Sequence, residues 1–219
     1  MNLSKETLAL IRNFSTINGS IMLKAGNVLS TISEGKNVMA QTTIQETLPC
    51  DFGIYDLGEF LGAVSIFQKT ELDFKEKYVT ISDGGKARIK YFAAGEGIVK
   101  AAPTTIKFPQ PDVSFELNTA ALEMIRKTSS TLKANDVTIA GVDGVLKVIV
   151  WDKKNSTSNA YEVEIGTSTE NFKANLKVEN LKMMPGDYTV EISSKKISRF
   201  KSTSTDLVYY IAVESDSEF

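Results

Sequence analysis

The sequence predicts an α+β protein built from two copies of one strand-rich domain, with two helices in each copy. Three observations carry that prediction. Displaced by 114 residues, Leu3, Leu8, Ile11, Arg12 and Ser15 fall on Leu117, Leu122, Ile125, Arg126 and Ser129, so the chain repeats itself. Between the helical patterns, short β-branched and aromatic runs are closed by Gly, Asn and Asp turns, the signature of hairpins. The composition, 42% hydrophobic and 24% charged over 219 residues, is that of ordinary globular domains with room for a core.

In the first copy, Ser4 is a good N-cap ahead of a helical pattern. At 100° per residue that helix places Leu8, Leu10, Ile11, Phe14 and Ile17 on one arc, with Lys5, Ala9, Arg12 and Thr16 opposite. Strands are expected over 20–32, 38–44, 78–81 and 88–93, divided by turns at 25–27, 33–37 and Asp83-Gly84-Gly85. Ile54-Tyr55-Asp56-Leu57 ends a short strand at an Asp cap and starts the second helix. Residues 94–111 hold Gly95, Gly97, Pro103, Pro109 and Pro111 with little periodicity and read as a connector, giving domains 1–108 and 109–219.

In the second copy, Asn118 takes the place of Ser4. Leu122, Met124, Ile125 and Thr128 form the expected buried arc of the next helix, while Glu123, Arg126 and Ser130 lie opposite with Lys127 nearby. Strands follow over 137–140, 146–151, 161–165, 171–178, 188–193 and 207–214. Val178-Glu179-Asn180-Leu181 repeats the 54–57 block, and Gly186 answers Gly62, both displaced by 124 residues. The polar stretch 153–159 is the candidate for the added loop. A second helix is therefore expected here too, with Met183-Met184 at its end before Pro185-Gly186.

Composition also excludes chemistry. There is no histidine, which removes Ser-His, Cys-His and His-metal sites, and a lone Cys50 forms neither an internal disulfide nor a paired-thiolate metal site. Asp83-Gly84-Gly85-Lys86 lacks phosphate-loop spacing and sits between strands, so it reads as a hairpin turn. No pair of carboxylates stands out for acid–base work. The net charge of -2 hides segregation: residues 1–30 carry +2, whereas 50–76 and 206–219 each carry -4. A polar, acid-bearing start and the lack of a long apolar run give no sign of secretion or of a membrane span, so a cytosolic protein is expected.

Several segments together resemble the sliding clamps of T-even-type bacteriophages. They are Leu3-Ser4-Lys5; Asn13-Phe14-Ser15-Thr16-Ile17-Asn18 followed by Ile21-Met22-Leu23-Lys24; Ile54-Tyr55-Asp56-Leu57 with Phe60-Leu61-Gly62; Met183-Met184-Pro185-Gly186-Asp187-Tyr188; and Ala212-Val213-Glu214-Ser215-Asp216. The resemblance implies the DNA clamp fold, with helices lining a ring and sheets outside it. Such rings close from six similar domains, so a two-domain chain is expected to be a homotrimer. The ring would encircle double-stranded DNA without sequence readout and tether the phage DNA polymerase for processive replication. No catalysis, cofactor or metal is implied.

The same resemblance assigns residues. Lys5, Arg12, Lys24, Arg126, Lys127 and Lys133 are expected to face DNA. Arg88, Lys90, Tyr91 and Phe92 of one subunit are expected to pair, edge to edge, with Tyr161, Val163 and Ile165 of the next. Val38, Phe108, Pro109, Ile211 and Val213 are expected to receive a C-terminal apolar peptide of the polymerase. An ATP-dependent clamp loader and late-transcription factors are further implied partners, with no membrane involved, in the cytoplasm of the infected bacterial host. Two other classes fit the bare residues: a β-rich viral structural or assembly protein without DNA binding, and an enzyme using carboxylates without histidine.

Overall fold

A computed structural model of the chain describes residues 1–95, 97–155 and 157–219; Glu96 in the connector and Ser156 in the polar loop lie outside the described residues. It divides into two units, Met1–Thr105 and Ile106–Phe219, the division falling within the stretch 94–111.

Unit 1 opens with α1 (Lys5–Ile17), which starts at Ser4 because that hydroxyl accepts the Thr7 amide at 3.1 Å. A second acceptor reinforces the cap. The Glu46 carboxylate takes the Thr7 hydroxyl at 2.6 Å and the Ser4 amide, placing a negative charge at the positive end of the helix. Thr7, Ile11, Phe14 and Ile17 are buried, whereas Leu8 and Leu10 are only half-buried, so the inward arc is turned toward Thr7 by that tether. Full burial of a side chain such as Phe14 contributes roughly 1.5–3 kcal/mol.

Burial raises the Glu46 pKa, but the bonds from Thr7 and Ser4 outweigh it and hold the carboxyl below its usual value. A depressed folded pKa means stability that is complete above the unfolded value of about 4.3 and lost as pH falls through the folded one. Wild type is therefore expected to melt above Glu46→Gln at pH 7, with the gap closing below about pH 4, as read by melting temperature against pH.

The expected strand 20–32 is broken at Lys24-Ala25 into β1 (Ile21–Leu23) and β2 (Gly26–Ile32). Next come β3 (Val38–Leu48), β4 (Phe52–Ile54) and α2 (Leu57–Ser65), whose cap Asp56 accepts the Glu59 amide at 2.9 Å. A three-stranded antiparallel sheet, β5 (Glu71–Phe74), β6 (Tyr78–Ser82) and β7 (Arg88–Phe92), completes the unit. Strands β1 and β4 pair, as do β2 and β3, and α1 packs on β2, β3 and α2.

Unit 2 begins with β8 (Val113–Leu117) and α3 (Thr119–Leu132), where Asn118 accepts the Ala121 amide at 2.8 Å as Ser4 does for α1. Strands β9 (Asp136–Val142), β10 (Val145–Trp151), β11 (Tyr161–Thr167) and β12 (Phe172–Lys177) form a sheet of order β11-β10-β9-β12. In unit 1, β1 pairs with β4 as β9 does with β12, and β2 pairs with β3 as β10 does with β11, but β1 and β2 are not joined in one sheet. The turn from β9 to β10 has Asp143 and Gly144 at φ 51° and 86°, as a tight hairpin requires. Strands β13 (Tyr188–Ser193), β14 (Ile197–Ser202) and β15 (Val208–Ala212) follow, with β8, β13, β14 and β15 paired in that order.

One expected helix is reduced to a single turn. Val178–Asn180 forms a 3₁₀ turn where the counterpart of α2 was expected, so unit 2 has one α-helix and the described residues hold three. Pro185 lacks the amide that would carry a helix onward, and Gly186 follows it, so 181–187 runs without regular structure. Met183 is buried there, outside any helix. In α3 the buried residues are Leu122, Ile125 and Ser129; Met124, expected inside, is 42% exposed.

Candidate nucleic-acid interface

Lys5 and Arg12 stand seven residues apart on the exposed face of α1, two turns of helix. Beside them, α1 and α2 enclose a groove of about 400 Å³ whose apolar floor includes Leu8, Leu61 and Val64. Lys5, Arg12 and Lys69 contribute its charges, and no acid lines it. Lys69 was not anticipated. It follows α2 in sequence, and only the packing of α2 on α1 brings it to this groove.

The other expected cations divide. Lys127 and Lys133 are exposed, the first on α3 and the second as its left-handed C-cap at φ 53°. Lys24 is outside the groove, held by Asp51 at 2.6 Å in an exposed ion pair. That lysine and the Ala25 amide hold the Asp51 carboxyl below its usual pKa.

Arg126 departs from the expected symmetry with Arg12. Its guanidinium is half-buried and donates to the carbonyls of Leu181 and Met183 at 2.9 and 2.5 Å. Burial lowers its pKa. The cause is the missing helix: without an α-helix at 178–186 those carbonyls have no intrahelical donor, and Arg126 supplies one. In unit 1 the equivalent carbonyls belong to α2, so Arg12 stays in solvent.

Both strands expected to join subunits lie at sheet edges. β7 is outermost in its sheet, and β11 is outermost in the sheet of β9 to β12. Arg88, Lys90 and Phe92 are exposed, Phe92 at 63%, and the Lys90 ammonium lies 3.9 Å from the centre of the Tyr78 ring. Tyr91 turns inward instead, edge-on to Phe60 at 5.4 Å with its hydroxyl donating to the Asp56 carbonyl at 3.1 Å. On β11, Tyr161, Val163 and Ile165 are half-buried, and Ile165 sits in a bulge without a partner on β10.

Of the positions expected to receive a peptide, Val38, Ile211 and Val213 are core residues at 3%, 0% and 5% exposure. They face inward on strands or just beyond one and offer no surface. Phe108 and Pro109 are half-buried in unit 2. The Phe108 ring lies 6.3 Å from that of Tyr210, tilted by 44°, and under the Arg199 guanidinium at 4.3 Å, and Glu191 fixes that arginine at 2.6 Å. Tyr210 and Arg199 lie on strands whose alternation carries no mark of a site.

No helix of the described residues is long and apolar enough to cross a membrane, and among those residues no group of three or more Cys, Asp or Glu is placed to hold a metal ion.

Two strand-rich units with matching strand pairs, each holding an N-capped helix and each with a sheet ending in an open edge, have the architecture of the DNA clamp fold. The fold matches proliferating cellular nuclear antigen of Entamoeba histolytica with a TM-score of 0.69 at 16% identity, over 95% of this chain and 94% of that one. Sequence narrows the class. Residues 4–96 match the family profile described as DNA polymerase processivity factor, and residues 114–215 the one described as gp45 sliding clamp, C terminal. The sliding clamp of Vibrio phage KVP40 is 32% identical over 223 residues, 98% of this chain and 100% of that protein. That of Enterobacteria phage T4 is 30% identical over 227 residues, 99% of this chain and 98% of the relative. The chain belongs to the sliding clamps, the processivity factors of phage DNA polymerases.

Proposed function

We propose that three copies of this chain close head to tail into a ring that encircles double-stranded DNA and tethers the polymerase, with no reaction of its own. The observation that carries this reading is the helix face of unit 1, where Lys5, Arg12 and Lys69 surround a groove free of acids. Long cations spread over a helix face attract phosphates without reading bases or holding one register, as a sliding contact requires. Topology then supplies persistence. Acidic stretches elsewhere, such as 206–219, disfavour DNA on the wrong surface.

The polymerase would dock a C-terminal apolar peptide at the exposed parts of Phe108, Pro109 and Tyr210, where an aromatic pair lies beside a cation. An ATP-dependent loader would open one subunit contact, and late-transcription factors would use the loaded ring, in the cytoplasm of the infected host. Light scattering tests the assembly. A species of about 72 kDa, three times the 24.0 kDa chain, is expected at micromolar concentration, and a species of 24.0 kDa alone would overturn the ring.

A further inference from the structure

The two open sheet edges carry opposite charge on the same relative face. On β7, Ile89 and Tyr91 point toward α2, and Arg88, Lys90 and Phe92 point away from it. The Ala93 amide donates to the Lys77 carbonyl at 3.0 Å. In an antiparallel ladder such residues alternate with ones whose N–H and C=O face outward, so the backbone groups of Arg88, Lys90 and Phe92 lie on the open flank. On β11, Tyr161 and Val163 register with Val150 and Val148, which are buried on the side where α3 packs. Glu162 and Glu164 register with Ile149 and Lys147 on the opposite face. Lys147 holds Glu162 at 2.8 Å, and Glu164 has no ion pair among the described residues.

We infer that these charges select the subunit contact, admitting β7 only to the β11 of a second copy of this chain; the inference rests on the ring proposed above. When the two sheets join with their helices on one side, Arg88 and Lys90 of one copy come onto the same outer face as Glu162 and Glu164 of the next. Opposite charges across paired strands stabilise, and like charges destabilise. Two β7 edges would bring Arg88 and Lys90 against their own copies. Two β11 edges would do the same with Glu162 and Glu164. Both self-complementary dimers are disfavoured, which leaves the head-to-tail contact that closes a ring. The same charges keep each lone edge from open-ended strand pairing.

A charge swap tests it. All four side chains are exposed, but Glu162 is paired with Lys147, so the folding of each variant is checked by circular dichroism and melting temperature before its mass is read. Glu162→Lys with Glu164→Lys is expected to weaken each subunit contact at least about tenfold, seen as a shift from about 72 kDa toward 24.0 kDa at equal concentration. Adding Arg88→Glu with Lys90→Glu in the same chain is expected to restore the larger species. Raising salt from about 50 to 500 mM is expected to dissociate wild type. A double variant that assembles like wild type, or a fourfold variant that stays dissociated although folded, would overturn charge selection while leaving the ring intact. Wild type at 24.0 kDa under every condition would overturn the ring and this inference together.

Discussion

Changing Lys5, Arg12 and Lys69 together to glutamate is expected to cut processive DNA synthesis at least tenfold at about 150 mM salt, with subunit assembly and melting temperature unchanged. The three side chains line one groove beside α1, are far from the edge strands β7 and β11 in sequence, and share no acid partner in that groove. Removing one cation from a phosphate lowers the slope of log affinity against log salt by about 0.9, and the proposed trimer would carry each substitution three times. Lys24→Glu is the control. Its charge is already paired with Asp51, so its removal is expected to leave synthesis near wild type. Processivity equal to wild type in the triple variant would remove the helix face of unit 1 from DNA contact.

Arg126→Ala is expected to destabilise the protein by about 2–3 kcal/mol, whereas Arg12→Ala changes stability by no more than about 0.5 kcal/mol. The two arginines occupy equivalent positions in the repeat, so the difference comes from their surroundings. Arg126 donates two bonds to carbonyls that have no helical donor, and its loss leaves both unsatisfied in a half-buried site. At this chain length the cost corresponds to a fall in melting temperature of about 5–10 °C. Equal melting temperatures for the two alanine variants would show that the 181–183 segment holds itself. Because of this role, a charge reversal at Arg126 tests folding before it tests DNA.

Much of the architecture was legible in sequence, where local patterns decide it. Ser4, Asp56 and Asn118 each cap a helix because a short polar side chain reaches a free amide three residues on, a relation that depends on nothing distant. The hairpin turns at 83–85 and 143–144 are equally local. Strands β5, β8 and β14 were missed because their outward faces carry Glu71 and Asp73, Ser114 and Glu116, and Arg199 and Lys201, which dilute the apolar signal. The site was less legible, since its residues are joined by folding. Lys69 reaches the α1 groove only through α2, and helical phase alone placed Arg126 in solvent. Ile211 and Val213, expected to receive a peptide, lie instead in the core of unit 2, the first on β15 and the second just beyond it.

The ring claim meets its most direct test on DNA of defined topology. After loading onto nicked circular DNA with the ATP-dependent loader proposed above and removal of free protein, the clamp is expected to stay with the circle and to leave when one enzyme cut makes it linear. Retention that survives the cut would mean that contacts with DNA, and not encirclement, hold the protein there.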